Sequence, residues 1–159
     1  MFKIHKDAKN WGKNILSAKD TPFETQLDLY YLFFIVGVGQ CRSPNYDKDK
    51  VVDIIKNYTT PFQAYREVYA ALLLVSEIVN SGLDMNKELV SKKMGNILSS
   101  YDPTLLSDSS FELMNQYAFG GFELIREELP KAPPNPHDFL KWYNDVMLNN
   151  CFTDKDWKG

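Results

Sequence analysis

Residues 21–39 read T-P-F-E-T-Q-L-D-L-Y-Y-L-F-F-I-V-G-V-G, and the fold class is decided there. From Leu27 to Gly39 the only charged side chain is Asp28. The run opens with Thr21 as a cap, Pro22 at the first helical position and Glu24 three residues after the cap, the pattern of a capping box. A helix that is apolar nearly all round belongs inside a protein, with other helices covering it. This one is too short for a bilayer, which needs about 20 apolar residues.

Working outward, each flank carries further helix-like segments. Residues 3–18 place Ile4, Ala8, Trp11 and Ile15 on one helical face, with Lys3, Lys6, Lys9 and Lys13 around the rest. A short helix is predicted over 48–58, with Val51, Val52, Ile54 and Ile55 as its apolar side. Thr60-Pro61-Phe62-Gln63 repeats the Thr-Pro-Phe-Glu opening and predicts a helix over 61–81 that ends at Gly82. Its stripe is Tyr65, Val68, Tyr69, Leu72, Val75 and Val79, widened by Leu73, Leu74 and Ile78, so it reads as the second core helix.

Further helices are predicted over 85–100, with Asp84 as the cap, and over 110–129, opened by a Ser109–Glu112 capping box. Gly120-Gly121 interrupts the latter and marks a kink, a break or a tight crossing. The segment 130–136, P-K-A-P-P-N-P, is an extended connector. Asn135 caps a last helix over 136–149, and residues 150–159 form a tail. No stretch alternates convincingly enough for a strand. The expectation is an all-α protein, a single domain over 1–159 made of about seven helices around the buried helix 22–39.

Composition narrows the function classes. The chain has 159 residues, 44% hydrophobic and 25% charged, with a net charge of −3. Such a mild charge does not imply a nucleic-acid or membrane partner. The start lacks a signal pattern, and the two cysteines, Cys41 and Cys151, read as reduced thiols of a cytoplasmic protein. Abundant Lys, Asn, Asp and Tyr suggest a bacterial or phage source.

Chemistry-bearing patterns are sparse. His5 and His137 are isolated and the cysteines have no companions, so neither a metal nor another cofactor is expected. Asp28, paired with Arg42 or Arg66, is the one candidate for a polar enzymatic site. Glu123 and Glu127 share a helix face that reads as solvated. The reading best supported is a non-catalytic interaction module, a subunit or accessory of a larger assembly with a protein partner. Its anchors are Phe139, Trp142 and Tyr143 on the last helix, with Phe152 and Trp157 in the tail. The alternative is nucleic-acid association through Lys3, Lys6, Lys9 and Lys13.

Overall fold

The computed structural model describes residues 1–82 and 86–148. Over the described residues its architecture is an all-α bundle of seven helices with one two-stranded sheet. In chain order these are β1 (Lys3–His5), α1 (Lys6–Leu16), α2 (Gln26–Gly39), β2 (Val51–Asp53), α3 (Thr60–Gln63), α4 (Arg66–Asn80), α5 (Lys87–Ile97), α6 (Asp108–Glu128) and α7 (Pro136–Val146).

α2 is the axis. One side of it, Leu27, Tyr30, Tyr31 and Phe34, packs with Phe2, Tyr58, Leu73 of α4 and Met114 and Tyr117 of α6. The other side, Leu29, Phe33 and Val36, packs with Trp11 and Ile15 of α1, Phe122 and Ile125 of α6, and Phe139 and Val146 of α7. A helix with two core faces has no room for a polar stripe, which is why its sequence carries none.

α2 crosses α6 with their backbones in close approach. A Cβ placed on Gly37 would lie 1.9 Å from the Tyr117 carbonyl oxygen, and one on Gly121 would lie 1.9 Å from that of Phe33. The glycine pair in α6 is therefore a tight crossing, and the helix runs through it without a break.

Several boundaries differ from the sequence reading. α2 begins at Gln26 rather than residue 22. The working capping box is Thr25 with Asp28, one turn later than Thr21 with Glu24. Thr21 instead accepts the Phe23 amide at 3.2 Å and turns the chain into the helix. The predicted helix over 48–58 is a 3-10 turn at Lys48–Lys50 followed by β2. Its β-branched Val51 and Val52 suit a strand, and β2 pairs antiparallel with β1 in the register Lys3 to Asp53, Ile4 to Val52 and His5 to Val51. Residues 3–5 are consequently a strand, and the first helix starts at Lys6.

The helix predicted over 61–81 breaks at Ala64–Tyr65 into α3 and α4. α5 is capped by Asn86 and stops at Ile97, where Leu98 bridges Leu106. The expected cap Asp84 lies outside the described residues. α6 is capped by Ser107, whose hydroxyl oxygen accepts the Ser110 amide, rather than by Ser109.

Candidate interaction surface

The second long helix is turned the other way from its sequence reading. The side chains α4 buries are Ala70, Leu73, Ser76 and Ile78. On this side the Glu77 carboxylate accepts the Tyr117 hydroxyl at 2.7 Å and pairs with Lys93 at 3.1 Å. Burial, with Glu77 beside it, raises the Tyr117 phenol to about 12. Four residues of the stripe assigned to the core point outward: Tyr65 is 56% exposed, Val68 53%, Val75 58% and Val79 64%, while Tyr69 and Leu74 pack half-buried on the core and Leu73 and Ile78 are buried as expected. Ala64 and Ala71 are exposed beside them, and Leu72 is half-buried.

Tyr65, Val68, Leu72, Val75 and Val79 follow alternating spacings of three and four. At 100° per residue Val68, Ala71, Leu72, Val75 and Val79 fall within one sector about 100° wide, no charged residue of α4 lies inside it, and Tyr65 stands just before the helix at its N-terminal end. Alternating three and four is the seam spacing of paired helices. Here the seam has no partner helix among the described residues. Beside it, Ala71, Leu74, Met94 and Leu98, with Glu67, line a mostly apolar groove of about 230 Å³ between α4 and α5.

At the start of α4 the chain forms a second concavity of about 380 Å³. Its walls include Phe62, Tyr65 and Tyr69, and Glu24 and Asp28 supply its charge. Behind it Tyr69 stacks on Tyr31 at a centroid distance of 3.7 Å, and burial raises the Tyr69 phenol to about 12.

Asp28 and Arg42 are not brought together. Asp28 is the reciprocal member of the α2 capping box: one carboxylate oxygen accepts the Thr25 amide at 2.7 Å and the Glu24 amide at 3.2 Å. A carboxylate at a helix start is held by unpaired amides, and this accounts for the single charge in the apolar run. Arg42 lies beyond the other end of the same helix, so about 16 Å of helix separates the two. It pairs with Glu127 through both of its terminal nitrogens, the longer contact being 2.9 Å. That ion pair holds the Glu127 carboxyl below its ordinary range.

The C-terminal anchors divide. Phe139 is fully buried in the core against Phe23 and Phe33 and has no surface to offer a partner. It occupies the position at which an amphipathic helix faces inward. Trp142 and Tyr143 are half-buried on the same core cluster, and the Tyr143 hydroxyl donates to the Leu32 carbonyl at 3.2 Å. Phe152 and Trp157 lie outside the described residues.

The lysines divide too. Lys6, Lys9 and Lys13 are exposed along α1, but Lys3 sits in β1 and pairs with Glu112 at 2.7 Å. Asp7, between them, binds Arg126 at 2.9 Å. A face of three lysines with the fourth neutralised is weaker than the sequence implied.

His5 is a buried residue that sequence inspection passed over as isolated. Its Nδ1 accepts the Asp7 amide at 3.0 Å and caps α1, while Nε2 lies 3.4 Å from Glu123. The ring sits against Phe119 and Phe122. Glu123 also pairs with Arg126 at 2.7 Å, so it is part of this cluster rather than of a solvated face.

Burial, the largest influence, pushes the His5 imidazole below its ordinary value; Asp7 and Glu123 oppose this, and Arg126 and Lys50 add to it. The unfolded chain therefore binds a proton more readily than the folded one. Stability from this group is complete above about pH 6.5 and falls as the pH drops toward the folded value. His5→Asn keeps an acceptor at the cap. The urea midpoint of the wild type should fall from pH 7 to pH 5.5, and that slope should flatten in His5→Asn; an unchanged slope would place the proton uptake elsewhere.

Among the described residues no three His, Cys, Asp or Glu side chains gather as a metal site, and no helix is long and apolar enough to cross a membrane. The fold and its surfaces thus define a helical bundle with an unpartnered apolar helix face. No protein-family model, curated protein or solved structure matches the chain.

Proposed function

We propose that this protein is a non-catalytic helical interaction module, a subunit or accessory factor of a larger cytoplasmic assembly, and that it docks a partner protein through the outward face of α4. One observation carries the reading: Tyr65, Val68, Leu72, Val75 and Val79 form an uncharged seam on the surface. Apolar side chains scattered singly on a surface are ordinary, but a contiguous uncharged patch along a helix marks a place where another chain sits. Its alternating spacing and small side chains fit a second helix, laid into the seam by its own apolar face. Of the anchors expected at the C-terminal helix, Phe139 is committed to the core.

Val75→Asp tests this. The side chain is exposed, so the variant should keep the wild-type circular dichroism and a stability within about 0.5 kcal/mol. Affinity purification from the native host, with nuclease treatment, should recover a protein partner with the wild type and lose it with Val75→Asp. A partner retained by Val75→Asp would remove α4 from the interface. Recovery that depends on nucleic acid and on Lys6, Lys9 and Lys13 would replace the reading with the nucleic-acid one.

A further inference from the structure

We infer that the concavity at the start of α4 is a binding site for an organic cation, an alkylammonium group of the kind that a lysine side chain or a small quaternary amine carries. At about 380 Å³ it falls in the size range of small-ligand clefts. Three aromatic side chains wall it, Phe62, Tyr65 and Tyr69, and among the described residues its only charged walls are the carboxylates of Glu24 and Asp28. Aromatic rings attract a cation held against them, and rings backed by carboxylates suit a positive group with an apolar skin.

The enclosure is set before a ligand arrives. Phe62 and Tyr69 both stack on the buried Tyr31, at centroid distances of 4.9 and 3.7 Å, so two of the three rings are fixed by the core. Rings held in place lose little freedom on binding. Burial first, then the phenols of Tyr58 and Tyr65 and the Asp28 carboxylate, keep the Tyr69 hydroxyl protonated, which sets this ring and that carboxylate at the same cavity.

The two carboxylates single the cavity out. Elsewhere the carboxylates that stand between elements meet this chain's own cations: Asp7, Glu77, Glu112, Glu123 and Glu127 each pair with a lysine or arginine. Glu24 and Asp28 make no such pair among the described residues, and Arg66, next to Tyr65 in sequence, is not a wall of the cavity. An anion is the poorer fit although α2 begins here. The amides that would hold one are taken, Glu24 and Thr25 by Asp28 and Leu27 by the Thr25 hydroxyl oxygen, and α3 has Pro61 in its first turn. Those bonds to Asp28, with one from the Thr25 hydroxyl at 3.0 Å, all reach a single oxygen, which leaves Oδ1 for a ligand. The site is separate from the docking face: Tyr65 borders both, but Val75 lies about 15 Å further along the helix.

The probe is choline, titrated into the full isotope-labelled chain at constant ionic strength and followed by amide NMR. The control is neohexyl alcohol, in which carbon replaces the charged nitrogen. Choline should bind with a millimolar Kd and shift amides at residues 24–28 and 59–69, and the alcohol should bind at least about tenfold more weakly. Tyr65→Leu keeps an apolar side chain and removes a ring; Glu24→Gln keeps the shape and removes a charge. Both positions are exposed, so circular dichroism should not change, and each variant should weaken choline about threefold or more. Equal binding of choline and the alcohol, no saturation by about 100 mM choline, or wild-type affinity in both variants would overturn the site. A blocked lysine tripeptide, titrated in the same way, separates the two sources. Tighter binding than choline assigns the cation to a protein side chain, and weaker binding assigns it to a free amine.

Discussion

Gly121→Ala should destabilise the protein by about 3 kcal/mol or more, the upper end of what overpacking costs. The added methyl would sit 1.9 Å from the Phe33 carbonyl oxygen and 2.7 Å from the Gly37 amide nitrogen. Both are backbone atoms in the middle of α2, so no side-chain rotation relieves the clash. The helices would have to separate, and Phe33, Tyr117 and Phe122 would lose contacts on both sides of the crossing. Gly37→Ala should behave alike, with its methyl 1.9 Å from the Tyr117 carbonyl oxygen.

Gly95 supplies the control. It is exposed in α5 with nothing within 4 Å of a Cβ, so Gly95→Ala should stabilise by about 0.5–1 kcal/mol through helix propensity. Urea denaturation of the three variants separates packing from propensity. A Gly121→Ala protein within 1 kcal/mol of wild type would mean that the helices do not cross this closely.

Asn115→Leu is the second change with a large expected cost, about 3 kcal/mol. Asn115 is buried on α6 and joins three elements. Its carbonyl oxygen accepts the Lys3 amide and the Tyr30 hydroxyl, each at 3.0 Å, and its amide donates to the Met1 carbonyl at 3.1 Å. A leucine of similar size fills the space and satisfies none of them. Each buried polar group left unpaired costs about 1–3 kcal/mol.

Tyr30 is wholly buried, and that burial holds its phenol well above the ordinary range, so it stays a neutral donor at every working pH. Tyr30→Phe removes one of the three bonds and should cost about 1 kcal/mol. Hydrogen exchange should show β1 losing protection first in Asn115→Leu, because the Lys3 amide is released. Equal stability of the two variants would show that Asn115 is not the clamp on the N-terminal strand.

The apolar run at 27–39 was enough to fix a buried central helix, because a helix without a polar stripe has only one kind of place to be. The Pro-rich segment at 130–136 and the Asn135 cap were equally plain, since both act locally. β1 and β2 were not legible. Three-residue strands show too little alternation to be read, and Val51 and Val52 become a strand only because residues 3–5 lie beside them. The cap of α2 was misread by one turn for a related reason. Thr21 with Glu24 and Thr25 with Asp28 satisfy the same local pattern, and the choice between them rests on how the preceding loop packs.

The outward stripe of α4 was visible in the sequence and assigned to the core. The stripe from Tyr65 to Val79 was visible as a helical seam, but periodicity records that side chains share a face, not what that face meets. A usable signal lay on the other side, where Ala70, Leu73 and Ser76 made a second, smaller face and Glu77 needed a partner. That partner, Tyr117, is 40 residues away in sequence. That the protein is helical, which helix lies at its centre and where α7 is capped could be read from the amino acids alone, because those are matters of composition and of contacts within one turn. That Gly37 and Gly121 meet, that Asp28 and Arg42 stand apart, and that α4 keeps one apolar face inside and turns the other to solvent came only with the packed fold, because each depends on which distant surfaces fit together.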